Sequence, residues 1–391
     1  YGDDAKSINT IAITGTDGKS SVAHLVAQAL EHSGHACGLI GTLGFGCLKQ
    51  LAPATHTTPP NSRIHKEYTK FKQVGCDVVA LEASSHGIKQ GRLDGLSIHT
   101  AVLTNITRDH LDYHKTTEDY IQAKAALFYK NNAKFAVINL DDEIGRLWCD
   151  SLSTTLDVVT YSLTNTEADV YASDIEYLSS SISLNVHVKD RKIKINTTLL
   201  GEFNVLNLLA VASVLFSLNK SSDQIEIALN KLDAVPGRMQ RINADGNTNI
   251  IVDYAHTPAA LHAAINAMRM HCKGKLICVF GCGGDRDQGK RSLMGEVAST
   301  YCDYVVITSD NPRHESPESI IQQIVEGCVT DSSYKIIVDR KAAIKYALHE
   351  RSDAVLIAGK GHEKYQCIGS QRLVFDDVEV VSNELQRMSH G

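Results

Sequence analysis

The segment Thr14–Ser21 reads Thr-Gly-Thr-Asp-Gly-Lys-Ser-Ser and has the residue types of a phosphate-binding loop. Its two glycines let backbone N–H groups approach phosphate oxygens, Lys19 supplies a positive charge, and the Ser20 hydroxyl is a suitable Mg²⁺ ligand. The standard pattern has an earlier glycine where Ile13 stands, so this is a shorter variant. A glycine-containing turn ahead of a helix is the alternative. We predict that a nucleotide is bound by Gly15, Thr16, Asp17, Gly18, Lys19, Ser20 and Ser21.

Two further segments carry carboxylates and imidazoles. Glu82–Gly87 follows a short apolar run, which predicts that Glu82 lies at the C-terminal end of a strand, where open α/β sheets bind ligands. Glu82 is therefore a candidate Mg²⁺ ligand, and a polar turn that caps a helix is the alternative. Asn105–His114 has two carboxylates and two imidazoles within six positions, which suits a second metal or a carboxylate substrate. A plain polar loop stays open, because Mg²⁺ prefers oxygen ligands to histidine.

A third loop, Asp310–Arg313, follows the apolar run Val305–Thr308. Pro312 stiffens the turn, and the planar guanidinium of Arg313 can pair with a carboxylate. The alternative is a surface turn with a solvated arginine.

Strand and helix patterns place these loops. Predicted strands of the first part are Ile11–Thr14, Val78–Leu81, Ala101–Thr104 and Ala136–Asn139, and helical spacing follows the phosphate loop at Val22, Leu25, Val26, Ala29 and Leu30. Alternating segments between about residues 155 and 200, such as Ser181–Val188 and Lys192–Ile195, indicate an antiparallel patch. Apolar residues at Val205–Leu218 indicate a buried helix. Beyond Pro236-Gly237, strands are predicted at Ile250–Val252, Leu276–Phe280, Tyr304–Thr308, Ile336–Val338 and Ala354–Ala358.

The expected fold class is α/β. Residues 1–235 are predicted to form a central domain with a P-loop-type, mostly parallel sheet and a small antiparallel patch. Residues 236–391 are predicted to form a Rossmann-like C-terminal α/β domain.

Composition restricts the class of function. The 391 residues are 43% hydrophobic, and 39 Lys and Arg against 45 Asp and Glu give a net charge of −6, which argues against nucleic acid as a partner. Ten cysteines show neither zinc-site spacing nor the density of a secreted scaffold. No apolar run approaches the length that spans a bilayer. We expect a cytoplasmic protein with no membrane partner.

Ten segments, in this order, resemble the Mur ligase family, and within it the members that add meso-diaminopimelate. They are Gly15–Ser20, Thr57–Pro59, Glu82–Gly87 with Gln90 and Arg92, Asp109–His114, Gly201–Asn204, Pro236–Met239, Asp253–Pro258, Gly283–Asp287, Asp310–Arg313, and Gly359–Glu363. The resemblance covers nearly the whole chain.

The resemblance implies an ATP-dependent ligase of peptidoglycan synthesis. ATP would phosphorylate the D-Glu carboxylate of UDP-N-acetylmuramoyl-L-alanyl-D-glutamate, and the amine of meso-diaminopimelate would attack this acyl phosphate. The implied catalytic residues are Lys19, Glu82, His110 and Lys124. Ser20 and Glu82 would hold one Mg²⁺, while His110 and a carbamylated Lys124 would hold a second. Without the resemblance, Lys124 would be interpreted as a solvated helix lysine.

The resemblance also implies the binding residues. Asn204, Arg238, Asp253 and His256 would contact the nucleotide. The muramoyl substrate would meet Thr57, Thr58, Ser84, Gln90 and Arg92. The amino-acid site would comprise Arg286, Asp310, Asn311, Arg313, Gly359 and Glu363, with Arg313 answering the distal carboxylate that lysine lacks. Because these residues fall in both predicted domains, we expect closure on ATP and acceptor.

Relatives carry a uridine-nucleotide-binding domain upstream of the phosphate loop, and we expect it to be lacking here. We also expect a monomer. A lysine-adding Mur ligase, a folylpolyglutamate synthetase and a non-catalytic nucleotide-binding scaffold are the alternatives. The folate enzyme would not explain Asp310–Arg313 or Thr57–Pro59, and a scaffold need not keep the metal and carboxylate constellations.

Overall fold

The structure is a computed structural model that describes residues 4–107, 109–130, 133–242 and 248–390. The chain divides into two compact units. The first unit comprises Tyr1–Glu176, Ile182–Thr197 and Phe203–Asp233, and the second comprises Tyr177–Ser181, Thr198–Glu202 and Ala234–Gly391. Each is described by itself below.

The first unit is built on an 11-stranded sheet. Its strands in chain order are β1 (Asn9–Thr14), β2 (Cys37–Gly41), β3 (Gly44–Cys47), β4 (Gln50–Ala52), β5 (Val78–Glu82), β6 (Ile98–Leu103), β7 (Phe135–Asn139), β8 (Asp157–Ser162), β9 (Val170–Tyr177), β10 (Ile182–Val188) and β11 (Arg191–Thr197). Their order across the sheet is β11-β10-β9-β8-β7-β6-β1-β5-β2-β3-β4. From β2 to β9 neighbouring strands run parallel, and β1 lies between β5 and β6.

The helices associated with this sheet are α1 (Asp4–Ser7), α2 (Lys19–His32), α3 (Asn61–Gln73), α4 (Ser85–Lys89), α5 (Leu111–His114), α6 (Thr117–Lys130), α7 (Glu143–Leu152), α8 (Glu202–Ser217) and α9 (Ser222–Leu229). The predicted apolar stripe of α2 is buried, and α8 is buried along most of its length. Side chains such as Phe71, Leu103 and Phe128 join one core cluster against the sheet. Burial of this kind contributes roughly 1.5–3 kcal/mol per large apolar side chain. The packed core therefore stabilises the sheet from which the site loops extend.

The parallel sheet and the antiparallel pairing of β10 with β11 agree with the sequence prediction. The antiparallel patch was expected from about residue 155, but β8 pairs in parallel with both β7 and β9. The antiparallel extension β2–β3–β4 was not predicted. Its segments Cys37–Gly41 and Gly44–Cys47 contain two glycines each, and glycine is depleted in strands, which hid the pattern.

The second unit contains a six-stranded sheet, also flanked by helices. Its strands are β12 (Gln240–Ile242), β13 (Asn249–Asp253), β14 (Leu276–Phe280), β15 (Tyr304–Ile307), β16 (Tyr334–Ile336) and β17 (Ala354–Ala358), with a separate hairpin of β18 (Tyr365–Ile368) and β19 (Gln371–Val374). Its helices are α10 (Pro258–His271), α11 (Gly289–Tyr301), α12 (Pro317–Val325), α13 (Arg340–His349) and α14 (Asp377–His390). The sheet order is β12-β13-β17-β14-β15-β16, and all neighbours except β12 and β13 are parallel.

Two details of this unit differ from the prediction. The strand expected at Ile336–Val338 is instead Tyr334–Ile336, an exposed edge strand that pairs with β15. The hairpin β18–β19 was not predicted, because its largely exposed residues give no apolar alternation. Among the described residues, no helix has the length and apolar character needed to cross a membrane.

Candidate active site

The phosphate loop joins the end of β1 to the start of α2, as predicted. Gly15 has φ 150°, and a Cβ there would lie 1.8 Å from Thr104 Oγ1, so a larger residue would clash. Thr104 Oγ1 donates to the Asp17 carbonyl at 2.6 Å, and the Asp17 N–H donates to Asn105 Oδ1 at 2.9 Å. The end of β6 therefore supports the loop from behind. Thr104 was predicted only as the end of a strand and Asn105 only as the start of the segment Asn105–His114, so neither was expected to contact the phosphate loop.

Lys19 contacts the backbone of the loop itself, whereas Ser20 contacts a carboxylate at the end of β5. Lys19 Nζ donates to the carbonyl oxygens of Gly15 at 2.9 Å and Thr16 at 2.7 Å. Ser20 Oγ donates to Glu82 Oε2 at 2.8 Å, while Ser21 is buried in α2. Lys19 and Ser20 thus lie together at the helix start, where an anion is favoured.

Glu82 ends β5 and is buried with its carboxylate fully engaged. Oε2 accepts from Ser20, and Oε1 accepts from the Thr42 backbone N–H at 2.7 Å. A carboxylate and a hydroxyl in contact form the start of a hard oxygen site for Mg²⁺. No group of three or more His, Cys, Asp or Glu side chains that could hold a metal occurs in the described part of the chain. Thr42 was missed, because it follows the unpredicted strand β2.

Lys124 is not the solvated helix lysine that its helix pattern suggested. It is 1% exposed on α6, and Nζ donates to the Gly15 carbonyl at 2.6 Å. Nζ also lies 4.5 Å from the ring centroid of Tyr120. Burial, and then the charge of Lys19, holds the pKa of Lys124 well below its usual range. Burial therefore disfavours the charged form of this amine.

His110 lies on the loop before α5 with φ 51°. Its Nε2 is 3.4 Å from Asp109 Oδ2, and its ring centroid is 6.2 Å from that of Tyr120, the ring that Lys124 also contacts. His114 is buried, with Nε2 2.9 Å from Ser85 Oγ. The predicted segment Asn105–His114 includes Arg108 and the Asp112 side chain, which lie outside the described residues.

The residues predicted to meet the muramoyl substrate form one hydrogen-bonded network. Thr58 Oγ1 donates to the Glu82 carbonyl at 2.6 Å and contacts Ser84 Oγ at 2.9 Å. Arg92 donates to the Thr58 carbonyl and, through Nε, to Gln90 Oε1 at 2.9 Å. Thr57 Oγ1 lies 3.1 Å from Thr42 Oγ1. Ser84 also caps α4, which confirms the helix-cap interpretation of Glu82–Gly87.

Asn204 lies on α8 and accepts a 2.9 Å hydrogen bond from Asn207 Nδ2. A Cβ on Gly18 would be 3.1 Å from Asn207 Oδ1, so Asn207 closes one side of the phosphate loop. Asn207 was missed, although a second buried asparagine one turn along an apolar helix was a visible signal.

In the second unit, the other predicted nucleotide contacts are Arg238 before β12, Asp253 at the end of β13, and His256 on the loop that follows. Asp253 accepts from the Met239 N–H at 2.7 Å and from the Ala255 N–H at 2.8 Å, and burial raises its pKa. The Arg238 guanidinium lies 4.4 Å from the Tyr254 ring centroid. His256 Nδ1 is 2.8 Å from the Tyr254 carbonyl oxygen, and burial lowers its pKa. These contacts hold the segment that carries Arg238 against the end of β13 and the loop that carries His256.

The predicted amino-acid residues lie at the C-terminal ends of neighbouring parallel strands. Asn311 follows β15, and its Nδ2 donates to Glu363 Oε2 at 2.9 Å, beyond the end of β17. Arg313 has φ 51° and donates through Nη1 to the Gly284 carbonyl at 2.6 Å. Gly359 has φ 117°, and a Cβ there would be 2.7 Å from Asp310 Oδ2. Arg286 lies on the loop after β14 and is exposed.

The hairpin β18–β19 holds this loop from one side. Gln366 Nε2 donates to the Asp310 carbonyl at 2.6 Å, and the Cys367 N–H donates to Asn311 Oδ1 at 2.9 Å. The Arg313 N–H donates to the Cys367 carbonyl at 3.0 Å. Sequence reasoning missed these supports together with the hairpin itself.

Comparison with known proteins settles the family. The profile of the Mur ligase middle domain matches residues 13–215, and that of the Mur ligase, glutamate ligase domain matches residues 237–361. The chain belongs to the Mur ligase family.

Similar members of the family share one name. The UDP-N-acetylmuramoyl-L-alanyl-D-glutamate--2,6-diaminopimelate ligases of Coxiella burnetii and Pseudomonas syringae pv. tomato are each 43% identical to this chain. Both alignments cover 98% of this chain, and they cover 80% and 79% of the relatives, respectively. A solved structure of a ligase with the same name has a TM-score of 0.76 and 39% identity, covering 99% of this chain and 80% of its own. Mur ligases are ATP-dependent and use Mg²⁺.

Proposed function

We propose that this Mur ligase couples ATP hydrolysis to the attachment of meso-diaminopimelate to UDP-N-acetylmuramoyl-L-alanyl-D-glutamate. The observation that carries the acceptor assignment is the Asn311–Glu363 hydrogen bond at the ends of two parallel strands, with Arg313 on the same loop as Asn311. The names of relatives more than 40% identical over nearly the whole chain support the same reaction.

The phosphate loop of the first unit would activate the carboxylate. When ATP binds, Lys19 would donate to its phosphate oxygens in place of the carbonyl oxygens of Gly15 and Thr16. The other proposed nucleotide contacts are Asn204, Arg238, Asp253 and His256. Mg²⁺ held by Ser20 and Glu82 would neutralise triphosphate charge. The contact between the Ser20 hydroxyl and the buried Glu82 carboxylate fits this metal, because both supply hard oxygens.

Lys124 would act as a carbamate, with His110 as its companion ligand for a second Mg²⁺. The neutral amine favoured by burial is the form that reacts with CO₂, and the proton is released as the N–C bond forms. The product is an anion beside the Gly15 carbonyl and the phosphate loop, so it would add oxygen ligands where the unmodified lysine has none.

Thr57, Thr58, Ser84, Gln90 and Arg92 would bind the muramoyl peptide close to Glu82, because their network includes the Glu82 backbone. Arg92 supplies the cation for a carboxylate or phosphate group.

At the acceptor site, Arg313 and Arg286 would pair with the carboxylates of diaminopimelate, and Glu363 would accept its distal ammonium. The attacking amine would displace phosphate from the acyl phosphate through a tetrahedral intermediate. Residues 1–235 would then be the nucleotide-binding domain and residues 236–391 the amino-acid-binding domain. We expect the enzyme to act as a monomer in the cytoplasm, where ATP is available.

The test is phosphate release with ATP, Mg²⁺ and UDP-N-acetylmuramoyl-L-alanyl-D-glutamate, with meso-diaminopimelate or lysine as acceptor. We expect release that depends on diaminopimelate and is much slower with lysine. Equal turnover with both amines would contradict the acceptor assignment, and release independent of any acceptor would contradict ligation.

A further inference from the structure

Lys360 is a buried lysine beside the proposed acceptor site, and none of the roles assigned above includes it. It follows β17 between Gly359 and Gly361, and its side chain is 0% exposed. Burying a lysine ammonium is costly unless it is paired and hydrogen-bonded. The hydrogen-bond partners of Lys360 therefore indicate which side chains its ammonium group stabilises.

Those partners are two of the proposed acceptor residues. Lys360 Nζ donates to Asn311 Oδ1 at 3.2 Å and to Glu363 Oε2 at 3.3 Å, while Asn311 Nδ2 donates to the same Glu363 oxygen at 2.9 Å. The three side chains form a closed ring of hydrogen bonds. Lys360 Nζ also lies 5.5 Å from the ring centroid of Tyr365, on the hairpin that supports the loop.

This ring fixes the orientation of the Asn311 amide. Asn311 Oδ1 accepts from both Lys360 and the Cys367 N–H, so the oxygen must face these two donors. The amide nitrogen is then directed at Glu363. An amide flip would place two donors against Lys360 Nζ and leave Glu363 without its Asn311 bond.

The ring also differentiates the two oxygens of Glu363. Oε2 accepts from Lys360 and Asn311, whereas Oε1 accepts no hydrogen bond from residues 248–390. Because two hydrogen bonds fix the position of Oε2, the orientation of the carboxylate and the position of Oε1 are also fixed. Oε1 is therefore the atom available to the ammonium group of a ligand.

We propose that Lys360 is a positioning residue of the acceptor site, a role that rests on the proposed function. It locks Asn311 and Glu363 so that Glu363 Oε1 accepts the distal ammonium of the diamino acid. Lys360 does not itself touch the acceptor.

The variant Lys360→Met removes the charge while it keeps the length and apolar stem of the side chain. The KM for meso-diaminopimelate should rise roughly tenfold or more, because Glu363 loses a charged hydrogen bond and Asn311 regains rotation. The kcat should fall by less than about threefold, and the KM for ATP should stay within about twofold, because groups that bind acceptor in ground and transition state alike act on KM. General structural damage would move all three together.

The matched control is Lys341→Met, an exposed lysine of α13 in the same unit, which should leave every parameter unchanged. A second variant, Lys360→Gln, retains a donor for Asn311 without the charge and should give an intermediate KM. It decides the question if Lys360→Met fails to fold, as judged by circular dichroism and thermal midpoint.

A folded Lys360 variant with an unchanged KM for diaminopimelate would overturn the proposal. An equal rise in the KM for ATP would overturn it too, since the effect would then be general. A wild-type enzyme without diaminopimelate-dependent phosphate release would instead contradict the proposed function, and this proposal with it.

Discussion

Lys19 and Lys124 donate to the same oxygen atom, the carbonyl of Gly15, at 2.9 Å and 2.6 Å. Two ammonium groups that face one acceptor repel each other, and only Lys124 is buried. The burial and the charge of Lys19 together shift Lys124 toward its neutral amine. A neutral amine beside a phosphate loop has a chemical use, because it can take up CO₂.

We predict that Lys124 is carbamylated in the working enzyme. Protein equilibrated with ¹³C-bicarbonate should give a carbamate carbon signal in its NMR spectrum. Lys124→Ala should lack that signal and lose roughly 100-fold in kcat, a loss typical of removing one group that stabilises transition-state charge. Lys124→Glu, which supplies a carboxylate permanently, should recover part of the activity.

Lys130→Ala serves as the control for this experiment, because Lys130 is an exposed lysine at the end of the same helix. It should keep both the signal and the activity. A signal that persists in Lys124→Ala would show that another amine is modified, and full activity in Lys124→Ala would contradict a role for the carbamate.

A second prediction concerns Glu82 and the metal. Glu82→Gln nearly preserves shape but removes the negative charge that faces Ser20 and Thr42. We expect the Mg²⁺ concentration for half-maximal rate to rise at least about tenfold and kcat to fall roughly 100-fold. Initial rates across a Mg²⁺ series measure both. Glu143→Gln, at an exposed glutamate of α7, should behave as wild type, and an unchanged Mg²⁺ dependence in Glu82→Gln would remove Glu82 from the proposed metal site.

Positions that depend on a local pattern could be predicted from the sequence. The phosphate loop was visible because glycine, lysine and serine occur between a strand and a helix, and the helix stripe of α2 fixed its position. Lys124 could not be assigned in this way. Its burial depends on the packing of α6 against a loop more than 100 positions earlier, and a single lysine in a helix pattern carries no such information.

Residues that hydrogen-bond to the predicted site residues and hold them in place were the hardest to predict. Thr42 follows a glycine-rich strand, and Gln366 lies on a hairpin whose exposed residues show no alternation. Lys360 stands in a glycine-flanked segment where a lysine is normally solvated. Lys360 contacts Asn311, which follows a different strand of the sheet. The order of strands in a parallel sheet cannot be read from a local sequence pattern, so this contact could not be predicted.

A third prediction tests acceptor selectivity through Arg313. Replacing Arg313 with Ala removes the guanidinium proposed to pair with the distal carboxylate. The KM for meso-diaminopimelate should rise by the equivalent of 1–3 kcal/mol, about the value of a charged hydrogen bond. The KM for ATP should not change. Rates with lysine should change far less, because lysine has no distal carboxylate to lose.

Arg351→Ala removes an exposed arginine from the same unit and is the matched control for that experiment. Selectivity is read from the ratio of kcat/KM for the two amines. An unaltered ratio in Arg313→Ala would show that the distal carboxylate is recognised elsewhere.

The last prediction concerns stability and pH in the second unit, where Arg291 is fully buried and Glu315 is its partner. Two guanidinium nitrogens of Arg291 each donate to a Glu315 oxygen at 2.8 Å, and these hydrogen bonds lower the pKa of Glu315 from 4.5 to about 2. Because the pKa of Glu315 is lower in the folded state, the stabilisation is complete above pH 4.5 and is lost as pH falls from 4.5 toward 2.

Glu315→Gln should therefore lower the free energy of unfolding at pH 7 by about 2 kcal/mol, since a buried cation loses its counter-charge. The difference in free energy of unfolding between the wild type and Glu315→Gln should be clearly smaller at pH 3, as measured by urea unfolding at both pH values. Glu326→Gln, at an exposed glutamate just beyond α12, should show no such gap. A gap for Glu315→Gln that stays constant between pH 7 and pH 3 would mean that the ion pair with Arg291 is not its source.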